Sequence, residues 1–214
     1  MPDEAYHILG FDPPSTINLG WSCFRVCDGV ASVADSGIEI IPRNDDVRGR
    51  LLHIESFILS LFDRFPYVRA IVMERSIGGG WAPTRENLAE ATGVIKLIGA
   101  HRGVEFIAIH TGQMAKEMTG SATRLGKKSR LKRVARDTFF PEAKTFIEIA
   151  SYIDDKGQRV EFFEHQSDAL LLGAHHLLSS GVTVHGPGGP LEFVPPTRGK
   201  KRKRTEGEKP EEGR

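Results

Sequence analysis

The sequence lacks any apolar run that approaches the ~20 residues needed for a membrane-spanning helix. Its start, MPDEAYHILG, also lacks the basic residues and the long apolar stretch of a secretory signal. These two absences predict a protein of the cytoplasm, either of a bacterial cell or of a virus-infected host. The 214 residues are 39% hydrophobic and 27% charged, which is typical of one globular domain with a substantial core.

Cysteine is scarce as well, since Cys23 and Cys27 are the only two. Their C-x₃-C spacing is not typical of a zinc or redox pair, and the sequence has no second cysteine pair to complete a metal site. We therefore predict that both lie in one strand as small apolar residues, a role in which free cysteine is common.

A large excess of one charge is also missing, because the formal net charge is only +1. Basic residues are nevertheless concentrated in two segments. Eight lysines and arginines lie from Lys116 to Arg136, where Glu117 is the only acid, and six more lie from Arg198 to Arg204. Local basic density sets affinity for phosphates, so both segments are candidates for contacts with nucleic acid. A solvated helix face with a solubilising tail, or a nuclear signal in KKRKR, is the alternative interpretation.

Apolar periodicity predicts alternating strands and helices along most of the chain. Thr111 is a candidate helix cap, and Asp28-Gly29 is typical of a hairpin turn. The predicted strands cover residues 8–11, 19–26, 30–41, 68–73 and 104–109, the predicted helices 48–65, 84–101, 127–140 and 165–180, and a hairpin 145–163. This order predicts an α/β fold with a mixed five-stranded sheet flanked by helices. The composition after Gly186 predicts a disordered, charged tail over 186–214 and a folded domain over 1–185.

Three carboxylates stand at informative places in this pattern. Asp12 and Glu74 each follow an apolar strand, and Asp168 lies in the last predicted helix with His165 one turn earlier. Strand ends hold ligands rigidly, and carboxylates are ligands that Mg²⁺ prefers. Two Mg²⁺ ions would supply an activated water and stabilise charge during phosphodiester hydrolysis. Taken singly, each acid has another interpretation: a turn residue for Asp12, an ion pair with Arg75 for Glu74, and a favourable helix-dipole position for Asp168.

Four segments resemble those of RuvC-type Holliday junction resolvases, in the family's order, across roughly residues 7–180. They are ILGFDPPST, IVMERS, GQMAKEMTGSATRLGKKSRLKRVARDTF and HQSDALLLGAHHLL. The resemblance implies an RNase H-like fold and an endonuclease that resolves four-way DNA junctions by Mg²⁺-dependent phosphodiester hydrolysis. It also implies that Asp12, Glu74 and Asp168 are metal ligands, and that His165 stands where some members have a second aspartate and others a histidine.

The resemblance further places Lys116 and Lys128 near the phosphate that is cut, where an ammonium can hold a phosphate oxygen. It implies branched DNA as the substrate, two Mg²⁺ ions (with Mn²⁺ as a substitute), and a homodimer that matches the two-fold symmetry of a junction. The predicted helix 84–101 is the expected dimer interface, where Gly93 and Ala100 permit close packing. The candidate DNA-binding residues are Trp81, Lys116, Arg124, Lys127, Lys128 and Arg130.

The chain departs from the family's pattern at three places. Pro14 replaces the glycine of the family's DPG, which removes a flexible residue and a backbone donor beside Asp12. Ile77 stands where the family often has an aromatic residue that stacks at the junction. Trp81 is the candidate to replace it, and packing in the core is the alternative. The predicted hairpin 145–163 resembles an insertion, to which the sequence assigns no role.

Three functions are therefore consistent with the sequence: a junction resolvase, another RNase H-like nuclease that acts on branched DNA or RNA–DNA hybrids, and a DNA-binding module whose site is catalytically impaired. The first two would share one metal site, so only tests of substrates distinguish them. The presence of Asp12, Glu74 and Asp168 argues against the third, whereas Pro14 leaves it open.

Overall fold

The computed structural model describes residues 4–12, 18–42, 46–75, 82–120, 127–153, 157–161 and 163–195. Its strands are β1 (Tyr6–Asp12), β2 (Asn18–Cys27), β3 (Val30–Ile40), β4 (Val68–Glu74), β5 (Glu105–Ile109), β6 (Ser151–Ile153), β7 (Arg159–Glu161), β8 (Thr183–Gly186) and β9 (Gly189–Leu191). Its helices are α1 (Val47–Arg64), α2 (Ala82–His101), α3 (Thr111–Thr119), α4 (Lys127–Phe139), α5 (Phe146–Ile149) and α6 (Phe163–Ser179).

Seven of these strands form one mixed sheet in the order β5-β4-β1-β2-β3-β8-β9, and β6 pairs with β7 in a separate small sheet. β1, β2 and β3 form an antiparallel meander, whereas β4 lies parallel to β1 and β5 parallel to β4. The turn at Asp28-Gly29 has φ values of 51° and 73°, as a tight hairpin requires. The predicted fold class, a mixed sheet flanked by helices, is confirmed.

The side chains of β1 divide between two cores, as the alternation along a strand requires. Ile8 packs with residues of α3, α4 and α6 on one face of the sheet. Leu9 and Phe11 pack with residues of α1 and α2 on the other face. Both faces of the sheet are thus covered by helices, and α6 lies against β1 and β2.

The sheet has seven strands rather than the predicted five, because β8 joins β3 in parallel and β9 returns beside β8. Both strands are short and lie in a stretch rich in glycine and proline, so they lack the alternation by which longer strands are predicted. β9 falls within the range predicted as a tail, so the sheet extends past Gly186. The division into a nuclease domain and a tail otherwise remains a prediction, since residues 196–214 lie outside the described residues.

Two local predictions were wrong. The N-terminal cap of α3 is His110, whose Nδ1 accepts a hydrogen bond from the Gly112 backbone at 3.0 Å, and not Thr111. The first part of the predicted hairpin 145–163 is the helical turn α5, because Phe146 stacks on Phe163. Only β6 and β7 form the hairpin.

The predicted strand placement holds for both cysteines, but the apolar role holds only for Cys23, because Cys27 is half-buried and its thiol donates a hydrogen bond to Asp28. Both lie in β2 as free thiols, and Cys23 is buried. Burial raises the pKa of Cys23 to about 12. None of the helices in the described parts of the chain is long and apolar enough to span a bilayer.

Candidate active site

Asp12 and Glu74 are the last residues of two neighbouring parallel strands, β1 and β4. The preceding residues, Phe11 and Met73, are register partners, so the two acids follow side by side at one edge of the sheet. Adjacent strands lie about 4.8 Å apart. Phe11 and Met73 point into the core beneath α1 and α2. Asp12 and Glu74 therefore turn toward the opposite face, which α6 covers.

Two glycines allow α6 to approach this edge of the sheet. Gly20, the register partner of Asp12, lies so close to His165 that a Cβ atom there would come within 2.1 Å of the His165 carbonyl oxygen. A Cβ atom at Gly10 would come within 2.5 Å of the Ala169 carbonyl oxygen. That carbonyl also accepts a 2.9 Å hydrogen bond from the Ser22 hydroxyl. The first turns of α6 thus lie directly over Asp12.

His165 and Asp12 are in direct contact as a result. His165 Nδ1 donates a hydrogen bond to Asp12 Oδ2 at 2.7 Å, and both side chains are largely sheltered from solvent. This hydrogen bond, together with the charges of Asp12, Glu164 and Asp168, raises the pKa of His165, although burial acts in the opposite direction. The imidazole is therefore held as a partner of the carboxylate.

Asp168 lies one turn further along α6 and faces several other acids. Burial, followed by the charges of Asp12, Glu164 and Glu74, raises the pKa of Asp168 to about 8, and Lys128 acts in the opposite direction. A carboxyl group at neutral pH is usually ionised, so this pKa reflects burial first and, after it, repulsion by the neighbouring acids. Acids from β1, β4 and α6, distant in sequence, thus share one electrostatic environment.

Thr111 orients Glu74 and was not identified from the sequence. Its hydroxyl donates a 2.8 Å hydrogen bond to Glu74 Oε1 from the first position of α3. The Thr111 hydroxyl can make this contact because His110, and not Thr111, is the N-terminal cap of α3. The sequence signal was a threonine two residues after β5, the strand that pairs with β4, but it is readily interpreted as a cap.

The predicted basic residues lie at different distances from the acids. Lys128 forms an ion pair with Glu164, and its pKa is raised by that hydrogen bond and by the charges of Asp168 and Asp12, with burial opposing. Lys116 is exposed on α3 and has no contact with Asp12 or Asp168 among the described side chains.

The other DNA-binding candidates are less informative. Arg130 is partly buried in α4. Lys127 begins α4, but its side chain is outside the described set. Trp81, Arg124, Pro14 and Ile77 lie outside the described residues.

The donor set fits a hard divalent cation, because it consists of carboxylates with one imidazole. Within the described ranges, however, no three side chains of His, Cys, Asp or Glu stand close enough together to hold a metal ion as they are placed.

No family model matches the chain, and a sequence search of curated proteins found no match. Solved structures do match. The structure is similar to Thermus thermophilus RuvC in complex with a Holliday junction substrate, with a TM-score of 0.59 and 16% identity over 87% of this chain and 99% of that one. A second T. thermophilus RuvC structure gives a TM-score of 0.60 and 17% identity over 88% and 99% of the two chains. The chain therefore has the RNase H-like fold found in RuvC.

Proposed function

We propose that this chain is a divalent-metal-dependent endonuclease that cuts four-way DNA junctions. The observation that supports the proposal is that Asp12 and Glu74 follow register partners at one edge of the sheet, and that the charges of both act on Asp168. The fold supports it, because the similar RuvC structure contains a Holliday junction substrate. The acidic environment supports it too, since the repulsion around Asp168 is the kind that a bound cation relieves.

Asp12, Glu74, Asp168 and His165 are the residues that would hold two Mg²⁺ ions, with Mn²⁺ as a substitute. Bound there, the ions would lower the pKa of a water molecule and stabilise the charge that develops on the phosphate. Asp12 and Glu74 lie at the ends of β1 and β4. His165 and Asp168 lie on α6, which contacts Gly20 at His165. Thr111 holds one Glu74 oxygen and leaves the other for a ligand role.

The chain's basic residues are proposed to bind the DNA around this site. Lys128 is 73% exposed, and the charges of Asp168 and Asp12 act on its ammonium. A phosphate at the site can therefore contact that ammonium. Lys116 and Arg133 are exposed on α3 and α4 and are proposed to contact neighbouring phosphates.

We also propose a homodimer formed through α2. A groove of about 550 Å³ lies between α1 and α2. Leu52 and Leu97 line it, and these side chains are 49% and 57% exposed. Gly93 lies one turn before Leu97, and nothing stands within 4 Å of the place where its Cβ would be, so another helix can approach. Exposed apolar surface of this kind is typical of interfaces.

The test is cleavage of a synthetic four-way junction, an RNA–DNA hybrid and a linear duplex, with and without Mg²⁺, with the cut positions mapped. We expect metal-dependent cutting of the junction. Asp12→Asn and Glu74→Gln should abolish cutting but preserve junction binding. Asp63→Asn, an exposed acid on α1, is the matched control and should cut normally. Full activity in Asp12→Asn would refute the site, and preferential cutting of the hybrid would favour another RNase H-like nuclease.

A further inference from the structure

Two lysine–glutamate ion pairs connect α4 to the residues around the start of α6, one to the end of β7 and one to the first turn of α6. Lys132 Nζ lies 2.7 Å from Glu161 Oε2, and Lys128 pairs with Glu164. The two lysines are one helical turn apart on α4, so they project from the same side. Both pairs join a lysine of α4 to a glutamate, and they differ in the side chains that surround them.

The pair formed by Lys132 belongs to the packing of the insertion. The Lys132 side chain is only 15% exposed, and its ammonium lies 4.9 Å from the centre of the Phe146 ring. Glu161 also accepts a 2.8 Å hydrogen bond from the Phe163 backbone at the start of α6. This pair therefore fixes α5 and β7 against α4, away from the acids of the proposed site.

The pair formed by Lys128 stands at the rim of the proposed site. Lys128 is 73% exposed, so a phosphate can reach it, and Glu164 is 33% exposed. Glu164 directly precedes His165, the partner of Asp12. The ion pair brings the ammonium to the first turn of α6, where the charges of Asp168 and Asp12 also act on it. Glu164 is not one of the proposed metal ligands, although its charge acts on His165 and Asp168.

We propose that Glu164 is a positioning residue that holds the Lys128 ammonium at the rim of the carboxylate site, where it meets the phosphate to be cut. This inference rests on the proposed nuclease function. A free lysine side chain samples many rotamers, and holding it in one place has an entropic cost. An ion pair formed before DNA binds fixes that side chain in advance. We expect this to raise the rate of cleavage rather than the affinity for DNA, because an ammonium that is already in place stabilises developing charge without reorganisation.

The experiment measures single-turnover cleavage of a four-way junction in Mg²⁺ and, separately, junction affinity with Ca²⁺ in place of Mg²⁺. Lys128→Met should slow cleavage by on the order of 100-fold. Glu164→Gln, which keeps the shape but removes the charge, should slow cleavage by roughly tenfold and leave affinity within about twofold. The double variant Glu164→Gln/Lys128→Met should be no slower than Lys128→Met alone, because Glu164 acts through Lys128.

Two variants separate positioning from a structural effect. Glu161→Gln removes the acid of the matched pair, which lies in β7, and should cut at the normal rate. Glu164→Asp, which restores the charge on a shorter side chain, should recover part of the rate. A normal rate in Glu164→Gln, a faster rate, or additive losses in the double variant would each overturn the proposal.

A measurement without DNA distinguishes failure of this inference from failure of the nuclease proposal. Acetylation of surface lysines at fixed pH, read by mass spectrometry, should modify Lys128 several times faster in Glu164→Gln than in the natural protein. Lys132 serves as the internal reference. Equal labelling of Lys128 in both proteins would refute the pairing itself. Absence of cleavage by the natural protein on every substrate, with the labelling difference intact, would refute the nuclease proposal and with it the role of Glu164 in cutting.

Discussion

His165 Nδ1 lies 2.7 Å from Asp12 Oδ2, although 153 positions separate the two residues in the chain. The contact joins the first strand to the last long helix at the point where Gly20 allows the helix to approach. The imidazole, when protonated, balances the charge of Asp12. The stability of the protein should therefore depend on the protonation of this cluster.

The first prediction concerns pH and Asp168 in metal-free protein. The folded pKa of Asp168, about 8, is above its usual value of 3.8, and that of His165 is raised as well. A raised folded pKa favours the protonated form, so this stabilisation is full below the unfolded pKa and is lost as pH rises through the folded pKa. Between pH 6 and 9 in a chelator, the Tm of the natural protein should therefore fall.

Asp168→Asn removes the ionisable group and should flatten that dependence. At pH 9 the variant should be more stable than the natural protein by at least about 1 kcal/mol, or roughly 2–4 °C in Tm for a domain of this size. The measurement is thermal unfolding by circular dichroism at several pH values. Parallel curves for the two proteins would contradict the shared acidic environment.

Thr111 provides the second prediction. Thr111→Val keeps the shape of the side chain but removes the hydrogen bond to Glu74. Residues that orient a metal ligand typically contribute 10–100-fold to metal affinity or activity. We expect cleavage by Thr111→Val to require about tenfold more Mg²⁺, whereas Thr111→Ser should resemble the natural protein. The measurement is the Mg²⁺ dependence of the cleavage rate, and an unchanged midpoint in Thr111→Val would show that the hydroxyl does not serve the site.

Gly20 provides the third prediction. A methyl group at this position would meet the backbone of His165, which cannot move without displacing α6. Gly20→Ala should therefore lower the Tm and abolish cleavage. Gly99→Ala is the control, because its added methyl meets only the end of the Ile71 side chain, and it should keep most of both properties. Normal cleavage by Gly20→Ala would mean that the close contact between Gly20 and α6 is not needed for activity.

The longer helices and strands and the three acids could be predicted from the sequence, but the contacts that position them could not. Asp12, Glu74 and Asp168 were found because each follows or lies within an apolar pattern. Gly20 and Thr111 carried no such signal, since their importance depends on which strand lies beside which. A glycine in a strand acquires meaning only when the helix above it is known. The short strands β8 and β9 were missed for a related reason, because pairing with β3 rather than local pattern stabilises them.

The fourth prediction concerns the proposed dimer. Leu97→Glu places a charge on the exposed apolar surface of α2 and should convert a dimer into a monomer, because burying an unpaired charge opposes association. Tyr67→Glu alters another exposed side chain, at the turn before β4, and should leave the dimer intact. Light scattering measures the mass relative to the 23.7 kDa chain. A natural protein that is monomeric at working concentration would remove the dimer proposal.

The fifth prediction concerns the basic cluster from Arg198 to Arg204, and the structure determines where the chain should be cut to test it. The segment that follows β9 is fixed to the fold: the Val194 backbone donates to the Glu117 carbonyl at 2.7 Å, and Phe193 lies 5.4 Å from His175 between ring centres. Truncation after Gly186 would remove these contacts and should lower the Tm. Truncation after Pro195 keeps them and removes the six basic residues.

Truncation after Pro195 should weaken junction binding while leaving the cleavage rate at saturating DNA unchanged, since the acids of the site are untouched. Each phosphate contact that is lost should reduce the slope of log affinity against log salt by about 0.9. A full-length variant with the six basic residues replaced by serine separates charge from length, and it should bind like the truncated protein. Equal affinities of the truncated and full-length proteins at several salt concentrations would show that the tail does not contact DNA. Each contact with a phosphate releases counterions, so its loss must change how affinity depends on salt.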